Sequence, residues 1–246
     1  MQRSGIDYFL QGFSLINTKG LRSFVLVPLA INLVLFISAF YYLFGELTYY
    51  IAYIIDLVPD WLGFIKEGLV FVLWPIAVIS VLLIFALIFG TLANWIAAPF
   101  NGLLAEKVEA HLTGRSMHNS GWTDLIKDIP RTLARELTKL SYYLPRALGF
   151  LILFFLLPVI GQILWFLFSA WMMSVQYADY PFDNHKISFT DMKSKLLADK
   201  SLTFSFGIMV SIFSMIPIVN FIVMPVAICG ATSMWVNEYK SGYACE

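Results

Sequence analysis

The groups in this chain best suited to chemistry are those that could hold an oxyanion. They begin in the stretch NWIAAPFNGLLAEKVEAHLTG, Asn94 to Gly114, where an uncharged run meets the first dense group of charges. Pro99 lacks a backbone donor and disfavours the helical region at Ala98, so a helix end is predicted there. Asn101-Gly102 supplies turn chemistry, and Asn101 can cap a new helix starting at Leu103. The backbone N–H groups of Gly102, Leu103, Leu104 and Ala105 would then stand free at the positive end of the helix dipole, with Lys107 close by. Glu106 falls in the same first turns. The dipole favours a carboxylate there, and Glu106 is also the candidate for taking up a proton when an anion arrives.

A second cation is singled out further along. Lys127, Arg131, Arg135 and Lys139 recur every fourth residue, as a solvated or headgroup-facing stripe would. Asp124, Asp128 and Glu136 stand three residues before Lys127, Arg131 and Lys139, a spacing that allows local pairing. Arg135 has no acidic residue three or four positions away, which makes it the freest to meet an anion. His111, His118 and His185 share no metal-ligand spacing, and neither does the pair Cys229 and Cys245. No metal, cofactor or disulfide framework is expected. The patterns GxxxxGK, HExxH and GxSxG are absent, which argues against ATP-driven transport by this chain alone and against protease or lipase chemistry.

The elements that must position these groups are apolar. The chain has 246 residues, of which 59% are hydrophobic and 13% charged. Ordinary globular chains carry about 25% charged residues, so the class is an all-α integral membrane protein. Lys and Arg balance Asp and Glu at 16 each, which leaves no electrostatic case for nucleic acid. Tyr8, Phe9, Phe13 and Ile16 form one face of a short interfacial helix. Residues 23–45 carry no charge and are long enough to cross about 30 Å of hydrocarbon as a first span. Residues 68–94 make the second.

Residues 103–144 read as an amphipathic cytoplasmic section, with a helix starting near Asp124. The uncharged stretches 147–178 and 201–237 are each too long for one span and too short for two. Pro158 and Gly161 interrupt the first, and Pro217, Asn220 and Pro225 the second. Both read as hairpins of short helices that enter the membrane part way and return, within one membrane domain spanning 1–246. Paired interrupted segments of this kind point to substrate pathways. In this arrangement every Lys and Arg except Lys66 falls on one side, which the positive-inside rule makes cytoplasmic.

Four stretches carry a resemblance. NWIAAPFNGLLAEKVEAHLTG, YLPRA at Tyr143 to Ala147, LWFLFSAWMMSVQYADYPFDNHK at Leu164 to Lys186 and MPVAICGATSMWV at Met224 to Val236 resemble the CysZ family of bacterial inner-membrane sulfate permeases. The resemblance runs from about Gly5 to about Tyr239. It implies sulfate uptake for cysteine synthesis, with sulfate and the lipid bilayer as partners. It also points to Arg22 at the mouth of the first span, where the family pattern has two consecutive arginines. Here Ser23 stands in the second place, so a two-arginine clamp is reduced to one cation. The expected sulfate contacts are thus Arg22, Gly102, Leu103, Leu104, Ala105, Lys107 and Arg135.

Desolvating a dianion takes fixed donors and positive charge, which these groups would supply. Two spans cannot enclose a pathway, so a homo-oligomer is expected. The alternative is a membrane scaffold or regulator that transports nothing and acts through its basic cytoplasmic helix. No enzymatic constellation is present.

Overall fold

The computed structural model describes residues 3–59, 62–114 and 122–243. They are helical, with no strand among the described residues. In chain order the helices are α1 (Gly5–Ile16), α2 (Arg22–Asp56), α3 (Gly63–Thr113), α4 (Trp122–Leu156), α5 (Ile160–Asn184), α6 (Phe189–Ala198), α7 (Lys200–Ser214) and α8 (Pro217–Met234). A π-turn at Trp235–Tyr239 and a 3-10 turn at Lys240–Tyr243 follow.

One compact unit holds residues 28–96. Here α2 does not end near Gly45. It continues to Asp56, because no proline falls between Gly45 and Pro59 and a lone glycine is tolerated in a helix. Among the described residues of α2, Leu33–Asp56 is long and apolar enough to cross a membrane. Of the expected second span, Gly68–Leu83 is an apolar helical stretch within α3. The side chains of its remainder lie outside the described residues, as do those of Trp95, Pro99, Asp124, Lys127 and Asp128, and the whole of Asp60, Trp61, His118 and Cys245.

The other unit holds residues 1–27 and 97–246. Ser4 caps α1 by accepting a hydrogen bond from the Asp7 N–H, while the Asp7 carboxylate accepts from the Ser4 N–H, a reciprocal capping box. The apolar face of α1 is covered by protein. Tyr8 and Phe9 are wholly buried, and Phe9 packs edge-on against Phe206 of α7. Gly12 lets α1 approach α8 so closely that a Cβ there would lie 2.2 Å from the Val226 carbonyl oxygen. Such close packing through small residues is how helices associate where lipid supplies no hydrophobic drive.

The amphipathic segment and the first hairpin arm form one helix. α4 runs from Trp122 to Leu156 with Pro130 and Pro145 inside it. The chain reverses between Leu156 and Ile160, and α5 packs back on α4. A Cβ on Gly161 would meet the Leu153 carbonyl oxygen at 2.1 Å, and Val159 adopts φ 67° at the tip, a costly conformation for a β-branched residue. A second reversal at Met215–Ile216 joins α7 to α8. Pro130–Leu156 is the other described stretch long and apolar enough to span a membrane.

Candidate functional site

The expected helix start at Leu103 is absent, because α3 continues through Pro99 to Thr113. The backbone N–H groups of Gly102, Leu103, Leu104 and Ala105 lie inside that helix, where each donates to a carbonyl four residues earlier. They are not free anion donors. Asn101 does not cap either. It is buried, and its Nδ2 donates to the Tyr180 hydroxyl on α5 at 3.1 Å. Asn184, at the end of α5, donates to the Gly102 carbonyl at 2.8 Å. Side-chain amides from both helices therefore join α3 to α5, where turn chemistry had pointed to a break.

Three cations of α4, Arg131, Arg135 and Lys139, face α5. Arg135 is the clearest correction: its Nε donates to Asp179 Oδ1 at 2.8 Å, and its Nη2 lies 2.7 Å from the same oxygen. The partner was missed because it lies on another helix, beyond the reach of a search three or four residues either side. Lys139 is buried between Glu136 (2.6 Å) and Asp179 (3.4 Å), with its ammonium 4.7 Å from the centre of the Tyr180 ring. The Glu136–Lys139 pairing follows the helical spacing. Arg131 Nη1 reaches Asp183, at 2.7 Å from Oδ1 and 3.0 Å from the carbonyl oxygen. The last turns of α5 supply Asp179 and Asp183, the two carboxylates that face Arg131, Arg135 and Lys139. The signal that could have found them is the shared four-residue spacing, Asp179 and Asp183 against Arg131, Arg135 and Lys139.

A second ionic group ties the chain's end to α3. Glu109 forms an ion pair with Lys240 at 2.7 Å and faces His185 Nε2 at 2.8 Å, while the His185 ring lies against Trp235. Burial pushes the Glu109 carboxyl up. The bonds from His185 and Lys240 outweigh it and hold Glu109 below its ordinary value.

The remaining expected groups fall in separate places. Arg22 is exposed at the start of α2, its Nε donating to the Asn17 carbonyl at 3.0 Å. Lys107 is buried on α3 and Glu106 is half-buried beside it, each with interactions of its own. Arg146 curls back on α4, donating to the Tyr142 carbonyl at 2.8 Å and stacking on the Tyr142 ring. What the structure brings together is therefore Arg131, Arg135 and Lys139 with Glu136, Asp179 and Asp183. These are three cations and three carboxylates held in a partly dry contact between α4 and α5.

Comparison with known proteins gives the family. The family model described as sulfate transporter CysZ/Etoposide-induced protein 2.4 matches residues 8–225. The curated protein named sulfate transporter CysZ of Salmonella typhimurium is 52% identical over 246 residues, covering 98% of this chain and 95% of the relative. The protein of the same name from Salmonella typhi matches with the same identity and coverage. On a match this long and this close, the chain belongs to the sulfate transporter CysZ/Etoposide-induced protein 2.4 family.

Proposed function

We propose that this protein carries sulfate across the bacterial inner membrane, as a multi-pass protein, and so feeds cysteine biosynthesis. The observation that carries this reading is the identity to curated sulfate transporters along nearly the whole chain. It is not read as an enzyme. The scaffold alternative loses its main feature, since Arg131, Arg135 and Lys139 face acidic partners on α5 and are not turned outward as a docking stripe.

Sulfate contacts are proposed at side chains: Arg22, Lys107 and the Arg131–Arg135 pair. A proton accompanying sulfate has two candidate acceptors, Glu106 and Asp183. The expected result is saturable uptake of radiolabelled sulfate by liposomes holding only the purified protein. Arg22→Ala should cut uptake at low sulfate about tenfold, the effect of one lost charge-assisted hydrogen bond of roughly 1.5 kcal/mol. Folded protein that moves no sulfate beyond empty liposomes would end this reading.

A homo-oligomer in the lipid bilayer is part of the proposal. Leu156, Val159 and Ile160 at one helical reversal, and Met215 and Ile216 at the other, are exposed apolar groups flanking a bend of backbone. Backbone at such bends needs protein or water around it at membrane depth. Cross-linking in bilayers should give discrete multimers, and monomer alone would count against assembly.

A further inference from the structure

The ion pairs between α4 and α5 form two tiers. In the inner tier Asp179 is 1% exposed and engages both Arg135 and Lys139. In the outer tier Asp183 is 15% exposed and its partner Arg131 37%. Asp183 Oδ1 lies 2.7 Å from Arg131 Nη1 but 3.9 Å from Arg135 Nε, beyond hydrogen-bond reach. One carboxylate oxygen thus stands between two guanidinium groups, at the edge of the cluster that water reaches, and grips only one of them firmly. Paired guanidinium groups are the donors best matched to a tetrahedral oxyanion.

We propose that Asp183 is an exchangeable counter-ion, holding the Arg131–Arg135 pair in the empty protein and yielding that place to sulfate as it takes up a proton. The inference deepens the sulfate-transport reading and rests on it. Charge gives the reason. Among the described residues, Arg131, Arg135 and Lys139 balance Glu136, Asp179 and Asp183, so these six groups sum to zero and give a dianion little attraction. Neutralising Asp183 leaves one net positive charge among them and removes the carboxylate that stands between the Arg131 and Arg135 guanidinium groups. Neutralising Asp179 would instead leave Arg135, only 13% exposed, without its close carboxylate, so the outer carboxylate is the one that can give way.

The direction of titration agrees. The charged groups facing Asp183 among the described residues are Arg131 and Arg135 on α4 and Asp179 on α5. Burial pushes the Asp183 carboxyl up first, Arg131 pulls it down, Asp179 adds to the rise, and the net lies above its ordinary value. A raised value means that Asp183 takes its proton earlier on acidification than a solvated Asp would. Sulfate binding should therefore strengthen as pH falls.

The test is calorimetry of sulfate binding to the purified full chain, in buffers of differing ionisation heat. Wild type should take up close to one proton per sulfate bound, and its affinity should change by at most about tenfold per pH unit, the limit for one linked proton. Asp183→Asn should bind sulfate about tenfold more tightly at neutral pH, take up no proton and lose the pH slope. Asp56→Asn, at an exposed carboxylate outside the cluster, should keep both the proton and the slope. Sulfate binding by wild type without proton uptake would overturn the proposal, and this readout needs no variant to fold. Weaker binding by Asp183→Asn, or loss of the slope in Glu106→Gln alone, would do the same. Wild type that neither binds nor moves sulfate would overturn the transport reading itself.

Discussion

Asp179→Ala is expected to cost about 3–5 kcal/mol of stability, because it removes the shared carboxylate of two buried cations. Asp179 is 1% exposed, and Arg135 and Lys139 are 13% and 4% exposed. Such a network gains little over a well-packed apolar core, but breaking it on one side leaves charge in a medium that cannot solvate it. Lys139 keeps Glu136 at 2.6 Å, so most of the loss should come through Arg135, whose remaining acid, Asp183, is 3.9 Å away. Adding Arg135→Met to the alanine variant should recover part of the loss, by removing the stranded charge. Glu136→Gln should cost less than Asp179→Ala, since Lys139 still faces Asp179. Thermal unfolding of detergent-solubilised protein, followed by loss of the folded species on size exclusion, reads all three variants against wild type. An Asp179→Ala protein that melts with wild type would show that the cluster is not structural.

This network also marks where sequence stops being informative about the fold. Apolar composition and uncharged runs read out the all-α membrane class, because they are properties of single residues and their near neighbours. α4 ends at Leu156 and α5 begins at Ile160, either side of Pro158, and α8 opens on Pro217, again because a breaker acts locally. Pro99 shows the opposite. Its local preference is to end a helix, yet α3 continues. Membrane helices tolerate proline where neighbours satisfy the backbone. The ties beside it, Asn101 to Tyr180 and Asn184 to the Gly102 carbonyl, cross about eighty residues of chain and leave no local pattern.

Arg135 was misjudged for the same reason. A window of four residues cannot see Asp179, 44 positions away. Of the expected anion groups, Arg22, Lys107 and Arg135 were legible as cations, but what each one faces depends on how the helices pack.

Gly207→Val should be at least as damaging as the loss of Asp179, through sterics instead of charge. α5 and α7 meet where a Cβ on Gly207 would lie 1.9 Å from the Ala170 carbonyl oxygen and 2.5 Å from Ser174 Oγ, against an ordinary contact of 3.4 Å or more. Neither neighbour can step aside cheaply. Ala170 offers helix backbone, and the buried Ser174 hydroxyl donates to the Thr203 carbonyl at 2.6 Å. Thr203 in turn donates to the Leu196 carbonyl at 2.8 Å, across the sharp bend between α6 and α7. Even alanine would force the two helices apart by more than an ångström, and overpacking of a close-packed core commonly costs about 1–3 kcal/mol. Valine adds two methyl groups to the same gap, so the expected loss exceeds about 3 kcal/mol, with little folded protein recovered. Gly45→Ala is the matching control. No atom lies within 4 Å of a Cβ there, and the change should stabilise α2 by roughly 0.5–1 kcal/mol. A Gly207→Val protein of normal yield and melting temperature would mean that α5 and α7 do not approach this closely. The buried side of α5, and with it the register of Asp179 and Asp183 against α4, would then have to be redrawn.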